Sequence, residues 1–184
     1  MDHPLPLSLS RPAPVGVWLR LDVWLFRRLG AGTGPAALMA VARAVARHSL
    51  WALLALVLLV AVTRPGAWAL ALAALLHAGL AQWVAKRCAR RWTAQRPFAL
   101  GLCPNHLGHA GRAGFPSSHA IVMGAVWGAL APHAGDPLSA AIAAVALATA
   151  WARVHTGAHF ALDVIVGLAV GAAWGGLLGA WPLD

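Results

Sequence analysis

Long runs of apolar residues make up most of the chain and are separated by short groups of Pro, Gly and charged residues. The runs predict five helical spans, each near the roughly 17–25 residues that a membrane helix needs. The pattern therefore predicts an all-α fold, a polytopic integral membrane helical bundle. The predicted spans cover residues 35–63, 67–84, 117–131, 138–153 and 159–181.

Residues 15–29 show a different, amphipathic pattern. Arg20, Trp24 and Arg27 fall on one side at helical spacing, and leucines occupy much of the other. This predicts an N-terminal helix lying in the membrane interface, with packing on the bundle as an equally good interpretation. Residues 1–14 contain four prolines and lack a continuous apolar segment, which predicts a disordered arm without a cleavable signal peptide. Residues 15–184 then form a single transmembrane domain.

Pro and Gly mark the connections between the spans. Arg64-Pro65-Gly66 predicts a tight turn, and Pro132 with Gly135-Asp136-Pro137 predicts the end of the third span. Residues 92–116 hold several prolines and glycines and predict a loop of about 25 residues, longer than the roughly 12–15 residues usual for loops without a function. Counting the spans places this loop and the turn at 153–158 on the same side of the membrane.

Composition narrows the chemistry. The 184 residues are 60% hydrophobic and 10% charged, against about 45–50% and about 25% in soluble domains, which excludes an ordinary soluble globule. The chain has no Glu and only five Asp, so a paired-carboxylate glycosidase and a carboxylate-bound magnesium site lack their ligands. A net charge of +9 indicates an anionic lipid or phosphate as partner, and we expect no nucleic acid partner. Cys88 and Cys103 are expected to be free thiols.

A first polar cluster, Phe115-Pro116-Ser117-Ser118-His119-Ala120, interrupts the apolar pattern. Pro116 is suited to the first turn of a helix, and the first N–H groups of that helix have no intrahelical partner. Such N–H groups bind anions well. For Ser117 alone, an ordinary helix N-cap is the alternative interpretation.

A second polar cluster contains Arg153, His159 and Asp163. His159 and Asp163 are four residues apart, so on a helix they would share a face. A carboxylate that orients an imidazole activates it, and ionisable groups within a membrane span usually serve a function. The alternative is a structural Arg–Asp pair with His159 packed beside it.

These clusters resemble the motifs of the type 2 phosphatidic acid phosphatase superfamily, which includes bacterial undecaprenyl-diphosphate phosphatases. Residues 116–119 are similar to its PSGH motif, with Ser118 in place of Gly, and residues 152–163 to its SRx5Hx3D motif, with Ala152 in place of Ser. Residues 96–97 match the end of the Kx6RP motif, but Ala89 stands at the Lys position, and Lys86 and Arg90 are the nearest substitutes.

The resemblance implies a mechanism and a role for each matched residue. His159 would attack phosphorus and form a phosphohistidine, while Asp163 holds its ring. His119 would protonate the leaving oxygen. The resemblance implies no metal and no cofactor. The phosphoryl oxygens would be bound by Arg96 and Arg153 and by N–H groups near Ser117 and Ser118.

The remaining histidines have weaker interpretations. His106 and His109 form an HxxH pair without a third zinc ligand, so they are expected to line the mouth of the site rather than to hold zinc. His77 is expected to be a structural histidine. His155 is expected to be a loop residue, with contact to substrate as the alternative.

The resemblance implies an enzyme of the bacterial inner membrane with its active site facing the periplasm. It would hydrolyse undecaprenyl diphosphate to undecaprenyl phosphate, which recycles the lipid carrier of peptidoglycan biosynthesis and is associated with bacitracin resistance. The alternatives are a phosphatidylglycerophosphate, phosphatidic acid or lipid A phosphatase and, in another class, a non-catalytic lipid-phosphate-binding protein or transporter. The basic residues at 86–91 conflict with the periplasmic side, because Lys and Arg are usually more frequent on the cytoplasmic side.

Overall fold

The computed structural model describes residues 16–91, 94–111 and 114–180, and within these ranges all regular structure is helical. This confirms the predicted all-α class. The arm at residues 1–14 lies outside the described residues. The helices are α1 (Val17–Arg28), α2 (Ala36–Thr63), α3 (Ala67–Ala89), α4 (Ser118–Ala134), α5 (Asp136–His155) and α6 (Ala161–Gly179), with a single 3-10 turn at Pro97–Leu100 in the long loop.

Helix α4 lies at the centre of the bundle. It packs against α3, α5 and α6, while α2 packs against α3 and α5 on the outside. The main core lies between these helices and consists largely of small and branched side chains, among them Leu53, Val60, Met123, Leu130 and Ile142. A second, smaller core beneath α1 joins Phe26 to the segment that connects α5 and α6.

The contact between α4 and α6 is unusually close because glycines line it. A Cβ atom added to Gly171 would overlap the carbonyl oxygen of Ile121, and one added to Gly175 would overlap that of Ala125. Small residues of this kind let two membrane helices approach backbone to backbone. Near the N-terminal ends of both helices, the Ser117 N–H donates to the Asp163 carbonyl oxygen at 3.0 Å.

The outer surface of the bundle is apolar. Helices α2, α3, α5 and α6 are long and apolar enough to cross a membrane, yet only 28% to 33% of the most apolar part of each is buried within the protein. A bilayer is the environment that covers such surface. Helix α4, also predicted as a span, has 17 residues and is enclosed by its neighbours.

Besides the end of α3, which lies at Ala89 instead of residue 84, three predicted boundaries were wrong. Helix α4 continues through Pro132 to Ala134, and Asp136 and Pro137 begin α5 instead of forming a turn. Gly135 alone makes the break, because its φ of 75° lies in the left-handed region that glycine adopts without strain. Pro fits the first turn of α5, where its missing N–H has no partner to lose.

The third wrong boundary concerns the second polar cluster. Helix α6 begins at Ala161, so His159 lies before the helix and does not share a helical face with Asp163. The Asp163 carboxylate accepts a hydrogen bond from the Phe160 N–H at 2.8 Å, so Phe160 is the N-cap residue and the helix begins after it.

Helix α1 has both of the faces that the sequence left as alternatives. Trp18 and Trp24 are exposed, at 73% and 53%, whereas Asp22 and Phe26 are buried against the bundle. The packing interpretation is therefore confirmed. Placement in the membrane interface stays a prediction for the exposed face.

We expect Gly175→Ala to destabilise the bundle and Gly176→Ala to leave it unchanged or slightly more stable. The first Cβ would overlap the α4 backbone, while the second would meet nothing within 4 Å. Alanine is otherwise the better helix former by about 1 kcal/mol. Thermal unfolding in detergent measures both variants. An equal loss of stability in the two would contradict the close α4–α6 contact.

Candidate active site

His159 lies in the short segment between α5 and α6, with 2% of its surface exposed. Its Nδ1 lies 2.8 Å from the Gly114 carbonyl oxygen, which can only accept, so Nδ1 carries the proton and donates. The Asp163 Oδ2 is farther away, at 3.6 Å from Nδ1. The opposite nitrogen, Nε2, is therefore unprotonated in the neutral ring and carries a lone pair.

Two guanidinium groups face that lone pair. Arg96 Nη1 lies 3.1 Å from His159 Nε2 and also donates to the Ala158 carbonyl oxygen at 2.7 Å. Arg153 Nη2 lies 3.5 Å from the same Nε2. Burial, followed by the charges of Arg96 and Arg153, holds the pKa of His159 well below its ordinary value of 6.5. The imidazole is thus neutral at physiological pH, the form in which Nε2 is a nucleophile.

The long loop delivers both Arg96 and Gly114 because its two ends pair with each other. The Arg96 N–H donates to the Gly111 carbonyl oxygen at 3.3 Å, and the Gly114 N–H donates to the Ala94 carbonyl oxygen at 3.0 Å. The loop is therefore ordered at the site, and it meets the α5–α6 segment on one side of the bundle. This confirms the prediction that both emerge on the same side.

His109 also belongs to the site, in a role that sequence reasoning did not identify. Its Nε2 lies 3.0 Å from Arg153 Nη2, which donates to it. Burial, Arg153 and Arg96 together lower the pKa of His109 to about 4, so its ring is a neutral acceptor. Asn105 holds the residue in place through hydrogen bonds with the His109 backbone. The spacing Asn-x3-His is the only sequence signal for this turn, and it is a weak one.

The two members of the HxxH pair point to different places. His106 Nε2 donates to the Gly32 carbonyl oxygen at 3.1 Å, whereas His109 contacts Arg153. Within the described residues, no group of three His, Cys, Asp or Glu side chains is placed to hold a metal ion. The expected placement at the mouth of the site is confirmed for His109 only.

His77 and His155 also lie apart from His159 Nε2. His77 donates to the Trp174 carbonyl oxygen at 3.2 Å and stacks on its ring, as a structural histidine would. His155 is the last residue of α5 and stacks on Trp151.

The beginning of α4 adds Ser117, Ser118 and His119. Ser117 is fully buried and occupies the N-cap position of α4, as the alternative interpretation expected, but its hydroxyl makes no capping hydrogen bond. His119, the second residue of α4, lies within reach of the charges of Arg153 and Arg96.

Several buried polar atoms at the site have no hydrogen-bond partner in the described structure. They are Ser117 Oγ, His119 Nδ1 and Arg153 Nε. A buried polar group without a partner costs free energy, and hydroxyl and guanidinium groups bind oxyanions well. Arg153 lies 3.5 Å from His159 Nε2, and an unpartnered donor beside a neutral imidazole fits a phosphoryl group.

A cavity of about 220 Å³ opens beside His159 and Ser118. Lys86 lies in the last turn of α3 and Arg90 directly follows the helix, and both line the cavity. Ala89, at the position where the family motif has Lys, lines the same wall. The cavity wall comprises Ala85, Lys86, Ala89, Arg90, Arg96, Pro116, Ser118 and His159.

A second, apolar groove of about 360 Å³ adjoins this cavity and shares Ala85 and Pro116 with it. It lies between α3, α4 and α6. The shared residues place a cationic pocket next to an apolar channel on the outside of the bundle. The remaining lining residues are Ala81, Val84, Cys88, Phe115, Ile121, Val166, Val170 and Trp174.

Comparison with known proteins agrees with this geometry. No curated protein and no solved structure significantly matches the chain. A family model, described as the PAP2 superfamily, matches residues 66–184, which include every residue of the cavity and all three polar motifs. Because this match covers more than half of the chain, the protein belongs to the PAP2 superfamily and is a phosphatase that acts on lipid phosphates.

Proposed function

We propose that this protein hydrolyses undecaprenyl diphosphate to undecaprenyl phosphate, and so recycles the lipid carrier of cell-wall synthesis. The observation that carries the proposal is the junction of the cationic cavity with the apolar groove at Ala85 and Pro116. A ligand that fits both spaces has an anionic head and a long apolar tail. His159 lines the head end.

In the first chemical step, His159 Nε2 forms a bond to the terminal phosphorus, and the bond from phosphorus to the bridging oxygen breaks. The Gly114 carbonyl oxygen keeps the proton on Nδ1, and Asp163 lies behind the same nitrogen. Arg96 and Arg153 stabilise the negative charge on the phosphoryl oxygens, because a guanidinium binds two oxygens at once.

The remaining proton transfers belong to His119. It donates a proton to the leaving oxygen, which departs as undecaprenyl phosphate, and then accepts one from the water that attacks the phosphohistidine. That second step releases inorganic phosphate and restores the free imidazole. Ser118, at the start of α4 and in the cavity wall, offers its N–H group to the phosphoryl oxygens, while the Ser117 N–H is already bonded to the Asp163 carbonyl oxygen.

Lys86 and Arg90 support a diphosphate over a monophosphate. Both line the cavity beyond Arg96, on the α3 side. A monophosphate needs only the charges around His159, whereas a diphosphate carries a second anionic group that these two cations can neutralise.

We place the active site on the periplasmic face of the bacterial inner membrane. The cationic residues at the end of α3 argue for the cytoplasmic face by their frequency alone. Two of them, Lys86 and Arg90, line the cavity and so have a reason to be there that is independent of topology.

The main test of the function is phosphate release from undecaprenyl diphosphate by the purified, detergent-solubilised chain in EDTA. We expect release to continue in EDTA, vanadate to inhibit it and His159→Ala to abolish it. Faster release from phosphatidylglycerophosphate, phosphatidic acid or lipid A would assign one of those substrates instead. No release from any of them by folded protein would favour a non-catalytic binding protein or transporter, and loss in EDTA that magnesium restores would contradict the metal-independent mechanism.

Neutralising the α3 cations tests the diphosphate assignment. We expect the double change Lys86→Gln and Arg90→Gln to lower kcat/KM for undecaprenyl diphosphate at least tenfold more than for phosphatidic acid, since one hydrogen bond to a charged group is worth about 1.5–3 kcal/mol, or about 10- to 100-fold. Arg87→Gln is the matched control, because Arg87 lies on the same turn but stacks over Trp83 outside the cavity. Equal losses on the two substrates would show that Lys86 and Arg90 serve the transferred phosphoryl group.

Cysteine labelling tests the orientation. Cys103 is a poor probe because burial raises the pKa of its thiol, whereas Ala110 is exposed in the long loop. We expect Ala110→Cys to react with an impermeant maleimide in intact spheroplasts. Reaction only after the membrane is permeabilised would place the loop and the active site in the cytoplasm.

A further inference from the structure

A buried carboxylate of helix α1, that of Asp22, contacts the segment that carries the active site. Asp22 has 8% of its surface exposed, although it lies between the exposed residues Leu21 and Trp24 on an amphipathic helix. Its Oδ1 accepts a hydrogen bond from the Leu162 N–H at 3.1 Å, across 140 positions of sequence.

The partner N–H explains why a carboxylate is useful at this point. Leu162 is the second residue of α6, and the first N–H groups of a helix have no carbonyl partner within it. The Asp163 carboxylate satisfies the Phe160 N–H, at 2.8 Å. Asp22 satisfies the Leu162 N–H, so two carboxylates from different parts of the chain complete the start of α6. Negative charge is also favourable there because of the helix dipole.

Asp22 is costly for the fold in other respects. Burial raises its pKa, and the hydrogen bond from Leu162 only partly opposes that effect. In the described part of the chain, no cation forms an ion pair with it. A buried charge without a counter-ion destabilises a fold, and an apolar side chain would pack at this position at lower cost. The hydrogen bond from the Leu162 N–H is therefore the best explanation for a carboxylate at this position.

A second contact from α1 reaches the same segment. The rings of Phe26 and Phe160 meet edge to face with centroids 5.9 Å apart, and both residues are buried. Phe160 directly follows His159, and Leu162 directly precedes Asp163. Helix α1 thus holds Phe160, next to His159, by packing and Leu162, next to Asp163, by a hydrogen bond. It lies before residue 66, outside the region that the PAP2 family model matches.

We propose that Asp22 is a positioning residue for the reaction, which fixes the start of α6 and thereby the placement of His159 and Asp163. This inference rests on the proposed function for its catalytic consequence. Asp22 touches neither substrate nor the reacting atoms. Its contribution is to the geometry of the nucleophile, and errors of a fraction of an ångström at such a group slow the chemical step.

The test compares Asp22→Leu, Asp22→Asn and the control Arg27→Gln in the full chain, in one detergent. Arg27→Gln changes an exposed charge of the same helix. The measurements are kcat and KM on undecaprenyl diphosphate, and hydrogen exchange of the Leu162 amide read by NMR. Circular dichroism confirms folding.

We expect slow exchange of the Leu162 amide in the wild-type chain and in Asp22→Asn, whose side-chain oxygen still accepts. Asp22→Leu should lose that protection and lower kcat about 10- to 100-fold, the value of one hydrogen bond to a charged group, with KM within about twofold. Asp22→Asn should keep kcat within about threefold, and Arg27→Gln should match the wild type.

Fast exchange of Leu162 in the wild type would overturn the proposal, as would wild-type kcat in Asp22→Leu or an equal loss in Asp22→Asn. If Asp22→Leu does not fold, the wild-type exchange and the Asp22→Asn rate decide. If the wild-type chain releases no phosphate from any lipid, the proposed function fails, while the exchange at Leu162 still shows whether Asp22 holds the start of α6.

Discussion

The close contact between α4 and α6 is the interaction on which the site depends. Glycines along α6 allow its backbone to approach that of α4, and the Ser117 N–H meets the Asp163 carbonyl oxygen at the end where the site lies. The approach brings together two motifs that are separated by about forty residues of sequence. A single added methyl group at Gly171 or Gly175 would push the helices apart, because backbone atoms of α4 already occupy that space.

Charge is distributed so that the buried guanidinium of Arg153 can still bind an anion. In the described residues Arg153 forms no ion pair with a carboxylate, and its partners are the neutral rings of His109 and His159. The two buried carboxylates, Asp22 and Asp163, instead accept from backbone N–H groups at the start of α6. Buried positive charge without a counter-ion is costly for a fold, and a bound phosphoryl group offsets that cost. The site thus favours an anionic ligand, because within the described residues the buried Arg153 has no carboxylate partner.

His159, the proposed nucleophile, is held from several directions. The long loop contributes Gly114 and Arg96, and α5 contributes Arg153. Helix α1 adds contacts to Phe160 and Leu162, close to His159 in the sequence. A side chain fixed by independent elements keeps its rotamer and its protonation state, which a nucleophile requires. Loops of this length in compact proteins usually serve a function. Backbone hydrogen bonds pair the two ends of this loop, and the loop thereby holds Arg96 and Gly114 at His159.

The sequence by itself determined the helical class, the apolar spans and the residues that carry the motifs. Hydrophobic runs of near membrane length have few alternatives to helices, because every backbone polar group must be paired within the bilayer. Helix ends were less accurate, since Pro132 is compatible with the last turn of one helix and Pro137 with the first turn of the next. The roles of Gly114, His109 and Asp22 came only from the tertiary structure. A carbonyl oxygen has no signature in the residue type, and a contact across 140 positions depends on how separate helices pack. For the same reason, sequence spacing showed that Lys86 and Arg90 lie near Ala89, but only the folded end of α3 and the residue after it placed both cations on the cavity wall.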